Sequence, residues 1–170
     1  MDLKQHIRDV PDFPIKGVLF KDITTLLNNP AAFRHTVDKL AERYRGMHIT
    51  KIVGVEARGF IFAGALAYVL GCGVIPVRKK GKLPHKTRSM SYELEYGTAT
   101  IEIHEDSIHP GEQILVLDDV IATGGTLAAA CELVEKLGGE VVEVAVVIEL
   151  TVFPGRKKLS GRSFHALIEF

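Results

Sequence analysis

The stretch ILVLDDVIATGGT, residues 114–126, decides how the rest of the chain is interpreted. It begins with four apolar residues, continues with the acidic pair Asp118 and Asp119, and ends in a short loop rich in threonine and glycine. An amphipathic segment follows. A buried strand that leads through a glycine-containing turn into a helix is typical of α/β folds, where the helix N-terminus binds anions. The stretch therefore predicts an anion-binding loop beside two carboxylates.

The two parts of this stretch fit one ligand that carries both hydroxyls and a phosphate. Ionised carboxylates only accept hydrogen bonds, and at a strand end, where the chain turns, both can reach adjacent sugar hydroxyls. Backbone N–H groups, two hydroxyls and the positive end of the helix dipole would hold the phosphate. The residues of this loop are Ala122, Thr123, Gly124, Gly125 and Thr126. Each part alone fits a capping acid or an ordinary turn as well, and the loop is neither a Walker A nor a GxGxxG motif; their union is more specific.

Strand and helix patterns alternate on both sides of this stretch. Apolar runs predict strands at 51–55, 74–78, 113–117 and 141–150, and helical spacing predicts helices at 30–45, 60–71 and 125–137. Asn29 and Pro30 form a typical helix start. The pattern predicts an α/β fold with a mostly parallel twisted sheet and helices on both faces. The turns after Val55, Val77 and Leu117 should then lie together at the carboxyl ends of the strands.

Residues 79–103 interrupt the alternation. The first part is basic and rich in turn formers, and the second alternates apolar and polar residues. This predicts a hairpin that projects from the sheet. A flexible hood over the site and an ordinary solvated loop remain equally good interpretations, since long loops in compact domains are often lids.

Composition limits the class of protein. The chain has 170 residues, 46% of them hydrophobic and 25% charged, which predicts one domain over 1–170. Its formal net charge is zero, so no global field attracts nucleic acid or a membrane surface, and neither is expected as a partner. Cys72 and Cys131 lie in apolar helical contexts, which predicts buried free thiols in a reducing, cytoplasmic compartment.

The stretch VLDDVIATGGT resembles the phosphoribosyl pyrophosphate (PRPP) signature of the type I phosphoribosyltransferases. Further blocks, in the same order and over nearly the full length, resemble the members of that family that act on adenine. These blocks are GVLFKDIT (17–24), GVEARGFIF (54–62), VRKKGKLP (77–84), YELEYG (92–97) and GRKKL (155–159). The resemblance implies transfer of the phosphoribosyl group from PRPP to adenine, giving AMP and pyrophosphate in purine salvage. It also implies a homodimer, and Mg²⁺ carried by PRPP without direct protein ligands.

The resemblance also assigns roles to residues. Asp118 and Asp119 would bind the ribose hydroxyls, and residues 122–126 the 5′-phosphate. Arg58 and Glu95 would be catalytic. The pyrophosphate would contact Glu56, Ala57, Arg58, Arg78, Lys79 and Lys82, and the adenine would contact Leu19, Phe20 and Lys21. The plainer alternatives are a surface arginine, a solvated charge run, an exposed hairpin acid and a core phenylalanine.

Two other functions fit parts of the pattern. A regulatory protein could sense PRPP with the same fold, and a related transferase could use another base. Regulators of that kind carry an added nucleic-acid-binding region, which we do not find in this sequence, and blocks 17–24 and 92–97 argue against another base.

Overall fold

The computed structural model describes residues 1–94 and 97–170. The chain forms two compact units, Met1–Arg43 and Tyr44–Phe170, and each is described by itself. One domain over 1–170 therefore stays a prediction. No helix within the described ranges is both long enough and apolar enough to cross a bilayer.

The first unit begins with a 3-10 turn and a two-stranded antiparallel hairpin. The turn is Leu3–His6, and the strands are β1 (Arg8–Pro11) and β2 (Leu19–Asp22). Two helices follow, α1 (Thr24–Leu27) and α2 (Pro30–Tyr44). The side chain of Asn29 accepts the backbone N–H groups of Ala31 and Ala32 at 3.1 and 3.0 Å, so the predicted start of α2 is confirmed. The hairpin and α1 were not predicted.

The second unit contains a seven-stranded sheet in the order β5-β6-β4-β3-β7-β8-β9. The elements in chain order are β3 (Lys51–Val55), α3 (Gly59–Leu70), β4 (Gly73–Lys79), β5 (Thr87–Glu93), β6 (Thr98–His104), β7 (Gln113–Ile121), α4 (Gly125–Lys136), β8 (Glu140–Glu149), a 3-10 helix (Gly155–Leu159) and β9 (Phe164–Glu169). The five strands β4, β3, β7, β8 and β9 pair in parallel, whereas β6 pairs antiparallel with both β4 and β5. The predicted α/β class with a mostly parallel sheet is confirmed.

The helices α3 and α4 cover opposite faces of this sheet. A Cβ atom placed on Gly54 would lie 2.8 Å from the Cβ of Ala63, so α3 packs directly on the face of β3 to which Gly54 points. Successive strand residues point to opposite faces, so Val53 points to the other face. There it joins a buried core with the α4 residues Leu127, Ala130, Cys131 and Val134. Helices on both faces were predicted, and this is confirmed.

The hairpin in the region 79–103 was predicted correctly, and it joins the edge of the sheet at its base. β5 pairs with β6 from Thr87–His104 to Glu93–Thr98, and β6 pairs with β4 at Arg78–Glu102. The hairpin is therefore attached to the sheet through the last two residues of β4, and its pairs from Ser91–Thr100 to Glu93–Thr98 continue beyond that contact. Its flexibility stays a prediction.

The two cysteines differ in their surroundings. Cys131 is fully buried in α4, and burial raises the pKa of its thiol to about 12, so it is an unreactive core residue as predicted. Cys72 lies outside α3, just after the left-handed Gly71 that ends the helix, and is partly exposed. The expectation of a buried helical thiol was wrong for Cys72, because α3 ends at Leu70, two residues before it.

The connections of the sheet locate a crevice. From β3 the chain crosses through α3 to β4 on one side, and from β7 it crosses through α4 to β8 on the other. The direction of winding therefore reverses between β3 and β7. In open α/β sheets, ligands bind at this reversal, outside the carboxyl ends of the strands.

Candidate active site

A cavity of about 450 Å³ lies at the carboxyl ends of β3, β4 and β7. Its lining includes residues 55–58 after β3, Val77 and Lys79 of β4, and residues 118–124 at the end of β7. The expectation that the carboxyl ends of these three strands lie together is confirmed, although β4 continues past Val77 and β7 past Leu117. The cavity has the size of a small-molecule site and combines apolar walls with polar groups from several elements.

Asp118 and Asp119 both line this cavity, but the backbone around them differs from the prediction. β7 continues to Ile121, because Asp118, Val120 and Ile121 remain paired with the long apolar strand β8. The expected turn at the two acids was therefore wrong, because the strand ends at Ile121, four residues after the predicted end at Leu117. Asp118 Oδ1 accepts the backbone N–H of Asp119 at 2.8 Å.

The Asp119 carboxylate is nearly buried and accepts a hydrogen bond from Nε of Arg58. This ion pair joins the loop after β3 to the end of β7, which are 61 residues apart in sequence. Burial, together with the negative charge of Asp119, raises the pKa of Asp118 well above its usual range. Asp118 therefore ionises less readily than an exposed aspartate, and the two acids are not equivalent.

The loop after β7 has a backbone that only glycine permits at one position. Gly124 has φ of 80°, and a Cβ atom on it would lie 2.4 Å from the carbonyl oxygen of Gly155. Gly124 is also the N-cap of α4, so no side chain caps this helix end. The N–H groups of the first turn and the positive end of the helix dipole favour an anion beside the loop.

Two contacts of this loop were missed by sequence reasoning. The hydroxyl of Thr126 donates to the hydroxyl of Tyr92 on β5 at 2.9 Å. Gly155 approaches the loop so closely that a Cβ atom on it would lie 2.3 Å from the carbonyl oxygen of Ala122. The only sequence signals were the positions of Tyr92 and Gly155 at the starts of two of the blocks quoted above.

Glu56 accepts hydrogen bonds from three basic residues, Arg78, Lys79 and Lys82. Its carboxylate accepts Nζ of Lys82 at 2.7 Å, the backbone N–H of Lys79 at 2.9 Å and a guanidinium N–H of Arg78 at 3.4 Å. Burial acts to raise the pKa of Glu56, but these three donors outweigh it and lower the pKa to about 2. The structure therefore brings together the predicted residues Glu56, Arg78, Lys79 and Lys82 around one carboxylate.

The low pKa of Glu56 predicts a pH-dependent contribution to stability. A carboxylate whose pKa is lowered by folding stabilises the fold at pH values above its ordinary pKa of 4.5. This contribution is lost as the pH falls towards the folded-state pKa of about 2. We expect Glu56→Gln to lower the unfolding free energy by about 1 kcal/mol at pH 7, since the ion pairs remain partly solvated. The difference from wild type should shrink between pH 4.5 and 2. Urea titrations across this range test it, and a difference independent of pH would contradict it.

The residues predicted for the base lie in the first unit. Phe20 is half-buried and packs edge-to-face on Phe13 with ring centres 5.1 Å apart. Nζ of Lys21 forms an ion pair with Asp9 at 2.6 Å, and Leu19 is exposed. The grouping of these residues with the cavity stays a prediction. Glu95 lies outside the described residues, so its role also stays a prediction.

Comparisons with known proteins agree on one family. The family profile "Phosphoribosyl transferase domain" matches residues 22–163. A curated adenine phosphoribosyltransferase of Chloroflexus aurantiacus is 54% identical over 169 residues, covering 99% of this chain and 98% of the relative. One of Desulfosudis oleivorans is 56% identical over 170 residues, covering 100% of this chain and 98% of the relative.

Solved structures give the same result. The crystal structure of adenine phosphoribosyltransferase from Thermoanaerobacter pseudethanolicus superposes with a TM-score of 0.96 at 48% identity, covering 99% of this chain and 98% of that chain. The enzyme from Saccharomyces cerevisiae, complexed with an imino-altritol bisphosphate and adenine, superposes with a TM-score of 0.92 at 41% identity, covering 98% and 96%.

Proposed function

This chain belongs to the phosphoribosyltransferase family, and from that membership we propose that it transfers the 5-phosphoribosyl group of PRPP to adenine. The products are AMP and pyrophosphate, and the reaction belongs to purine salvage. The observation that carries the proposal is the cavity at the winding reversal, where Asp118 and Asp119, an uncapped helix N-terminus, Arg58 and Lys79 meet.

The sugar-phosphate half of PRPP is proposed to bind along the end of β7. Asp118 and Asp119 accept the ribose hydroxyls, and residues 122–126 bind the 5′-phosphate through backbone N–H groups and the two threonine hydroxyls. The support is the position of these residues, except Gly125, on the cavity wall and the dipole of α4 behind the loop. In this arrangement Thr126 would exchange its hydrogen bond to Tyr92 for one to the phosphate.

The pyrophosphate is proposed to bind beside the loop after β3. Arg58 and the backbone of Glu56 and Ala57 line the cavity, together with Lys79. Arg78 and Lys82 are held beside the same region by their hydrogen bonds to the Glu56 carboxylate, which does not itself contact the anion. Cationic donors fixed around the departing pyrophosphate stabilise the charge that develops on it.

The reaction breaks the C1′–oxygen bond to pyrophosphate and forms a C1′–nitrogen bond to adenine, which loses a proton. Its transition state resembles a ribosyl oxocarbenium ion, so positioning and leaving-group stabilisation supply most of the rate. Glu95 is proposed to exchange a proton with the base, and Phe20, flanked by Leu19 and Lys21, to stack on it. The half-buried ring of Phe20 supports the stacking role more than a core role.

Mg²⁺ is proposed to enter with PRPP. The cavity is lined by the carboxylates of Glu56, Asp118 and Asp119, an acidic surrounding that suits a cation which arrives bound to substrate phosphates and keeps several waters. When bound, it would neutralise charge on the pyrophosphate. Within the described part of the chain, no group of three or more His, Cys, Asp or Glu residues could hold a metal ion.

The chain is proposed to act as a cytoplasmic homodimer. α3 is apolar on nearly all sides, and its residues Ile61, Tyr68 and Val69 are exposed, as is Val74 at the start of β4. Exposed apolar patches of this kind mark protein contact surfaces. A second copy of the chain is the proposed occupant, and sedimentation at the mass of one chain, 18.7 kDa, would contradict it.

Pyrophosphate release with different bases tests the function. We expect release with PRPP and adenine, and a kcat/KM at least about a hundredfold lower with hypoxanthine, because a 6-oxo base leaves buried hydrogen-bonding groups unpaired. Guanine and orotate are the further comparisons. Release with another base alone would favour a different transferase, and PRPP binding without release with any base would favour a PRPP-sensing protein.

A further inference from the structure

We infer that Arg156 and Glu149 are positioning residues for the sugar-phosphate loop, acting through Gly155, which packs against residues 122–124. This inference rests on the proposed function of that loop. Neither residue lines the cavity, and neither was singled out by the sequence.

The first step is the contact between Gly155 and the loop. Gly155 begins the 3-10 helix Gly155–Leu159 and is itself buried. Its backbone lies so close to Ala122 and Gly124 that a Cβ atom on either glycine would clash with a carbonyl oxygen, at 2.3 and 2.4 Å. Two backbone segments packed without any side chain between them leave no room for independent movement. The position of Gly155 therefore fixes the backbone position of residues 122–124.

The second step is the anchoring of Gly155. The adjacent Arg156 forms a two-pronged hydrogen bond with Glu149, in which Nε reaches Oε1 at 2.6 Å and NH2 reaches the other oxygen. The same guanidinium contacts Glu169 at 2.8 Å and stacks 4.8 Å from the ring centre of Phe164. Both prongs of the planar fork are used, so the direction of Arg156 is fixed as well as its distance.

The third step is the position of Glu149 in the sheet. Glu149 is the last residue of β8, and only 6% of its side chain is exposed. It pairs in register with Ile121, the last residue of β7. The loop that follows Ile121 and the Glu149 side chain that binds Arg156 are therefore attached to directly paired residues of neighbouring strands. At the other end of the 3-10 helix, Leu159 is buried in the core.

Arg156→Ala should therefore loosen the sugar-phosphate loop and leave the pyrophosphate region intact. We expect the Kd of ribose 5-phosphate to rise about tenfold or more, because small displacements of a binding group lower affinity steeply. The Kd of inorganic pyrophosphate, measured with Mg²⁺, should change less than about twofold, because its proposed contacts lie after β3 and on β4. Calorimetry on the full chain measures both constants, and Arg156→Lys, which keeps the charge but not the fork, should give an intermediate loss.

A matched control is Arg88→Ala. Arg88 lies on the edge strand β5, forms an ion pair with Glu105 at 3.2 Å, and neither lines the cavity nor contacts the 3-10 helix. It should leave the affinity for ribose 5-phosphate unchanged. An equal loss in both variants, an equal loss for both ligands, or no loss in folded Arg156→Ala or Arg156→Lys overturns the inference.

The outcome is separable from that of the proposed function. Adenine-dependent turnover by the wild-type chain tests the function alone. If the wild type turns over but Arg156→Ala binds ribose 5-phosphate normally, only the positioning role fails. If the wild type binds ribose 5-phosphate without turnover, only the function fails, and a wild type that does not bind it at all overturns both.

Discussion

Replacing Asp118 and Asp119 together with Asn is expected to weaken PRPP binding by about 10²- to 10⁴-fold. Each substitution removes a charged acceptor of a hydroxyl, and a hydrogen bond to a charged group contributes about 1.5–3 kcal/mol. Asp119 should account for most of the loss. Its substitution also releases Arg58 from the ion pair that joins the two halves of the cavity.

Asp118 should contribute less than Asp119, for a reason visible in the structure. Burial and the charge of Asp119 raise the pKa of Asp118, so part of its charge is already suppressed in the free chain. We therefore expect Asp118→Asn alone to cost less affinity than Asp119→Asn alone. The affinity of the wild type for PRPP should also fall as the pH decreases. Because the pKa of Asp118 is raised, this fall should begin at a higher pH than it would with an ordinary aspartate.

Calorimetric titration with PRPP measures all three variants. Asp106→Asn is a suitable control, because the Asp106 side chain is 72% exposed and does not line the cavity. Unchanged affinity in the double variant would refute the ribose-binding role of this pair. A larger loss in Asp118→Asn than in Asp119→Asn would refute the proposed division between them.

The parts of the fold that the sequence predicted are those determined by local pattern. The predicted bounds of β3, α3 and α4 agree with the structure to within about one residue, because apolar periodicity and terminal glycines act over short distances. The hairpin β1–β2 and the strand β9 were missed, because short strands with mixed polarity become strands only when a partner pairs with them.

The same distinction applies to the candidate site. The residues that carry charges and glycines were found, because their chemistry is visible in the sequence. Their partners were not found: Arg58 binds an acid 61 residues away, and Gly155 packs on a loop about 30 residues earlier. The length of β7 was also wrong, because two acids look like a strand end unless the pairing with β8 is known. Contacts between residues far apart in the chain are therefore what could not be predicted from this one sequence.

Replacing Glu95 with Gln is expected to lower kcat by about 10²- to 10⁴-fold while changing the Kd of PRPP and adenine less than about threefold. The amide has the same size as the carboxyl but neither gives nor takes a proton, and general acid–base groups contribute rate enhancements of this order. The basis of this prediction is the block YELEYG and the proposed proton exchange with the base.

Steady-state rates combined with calorimetry separate the two effects on Glu95→Gln, and the pH profile adds a second test. Loss of a proton-transfer group should remove one limb of the pH dependence of kcat. Glu93→Gln is the matched control, since Glu93 is an exposed acid of β5 two residues earlier in the chain. Wild-type turnover in Glu95→Gln would remove Glu95 from the chemistry. A rise in Kd that equals the loss in kcat/KM would make it a binding residue, because only an interaction made in the transition state lowers kcat without weakening substrate binding.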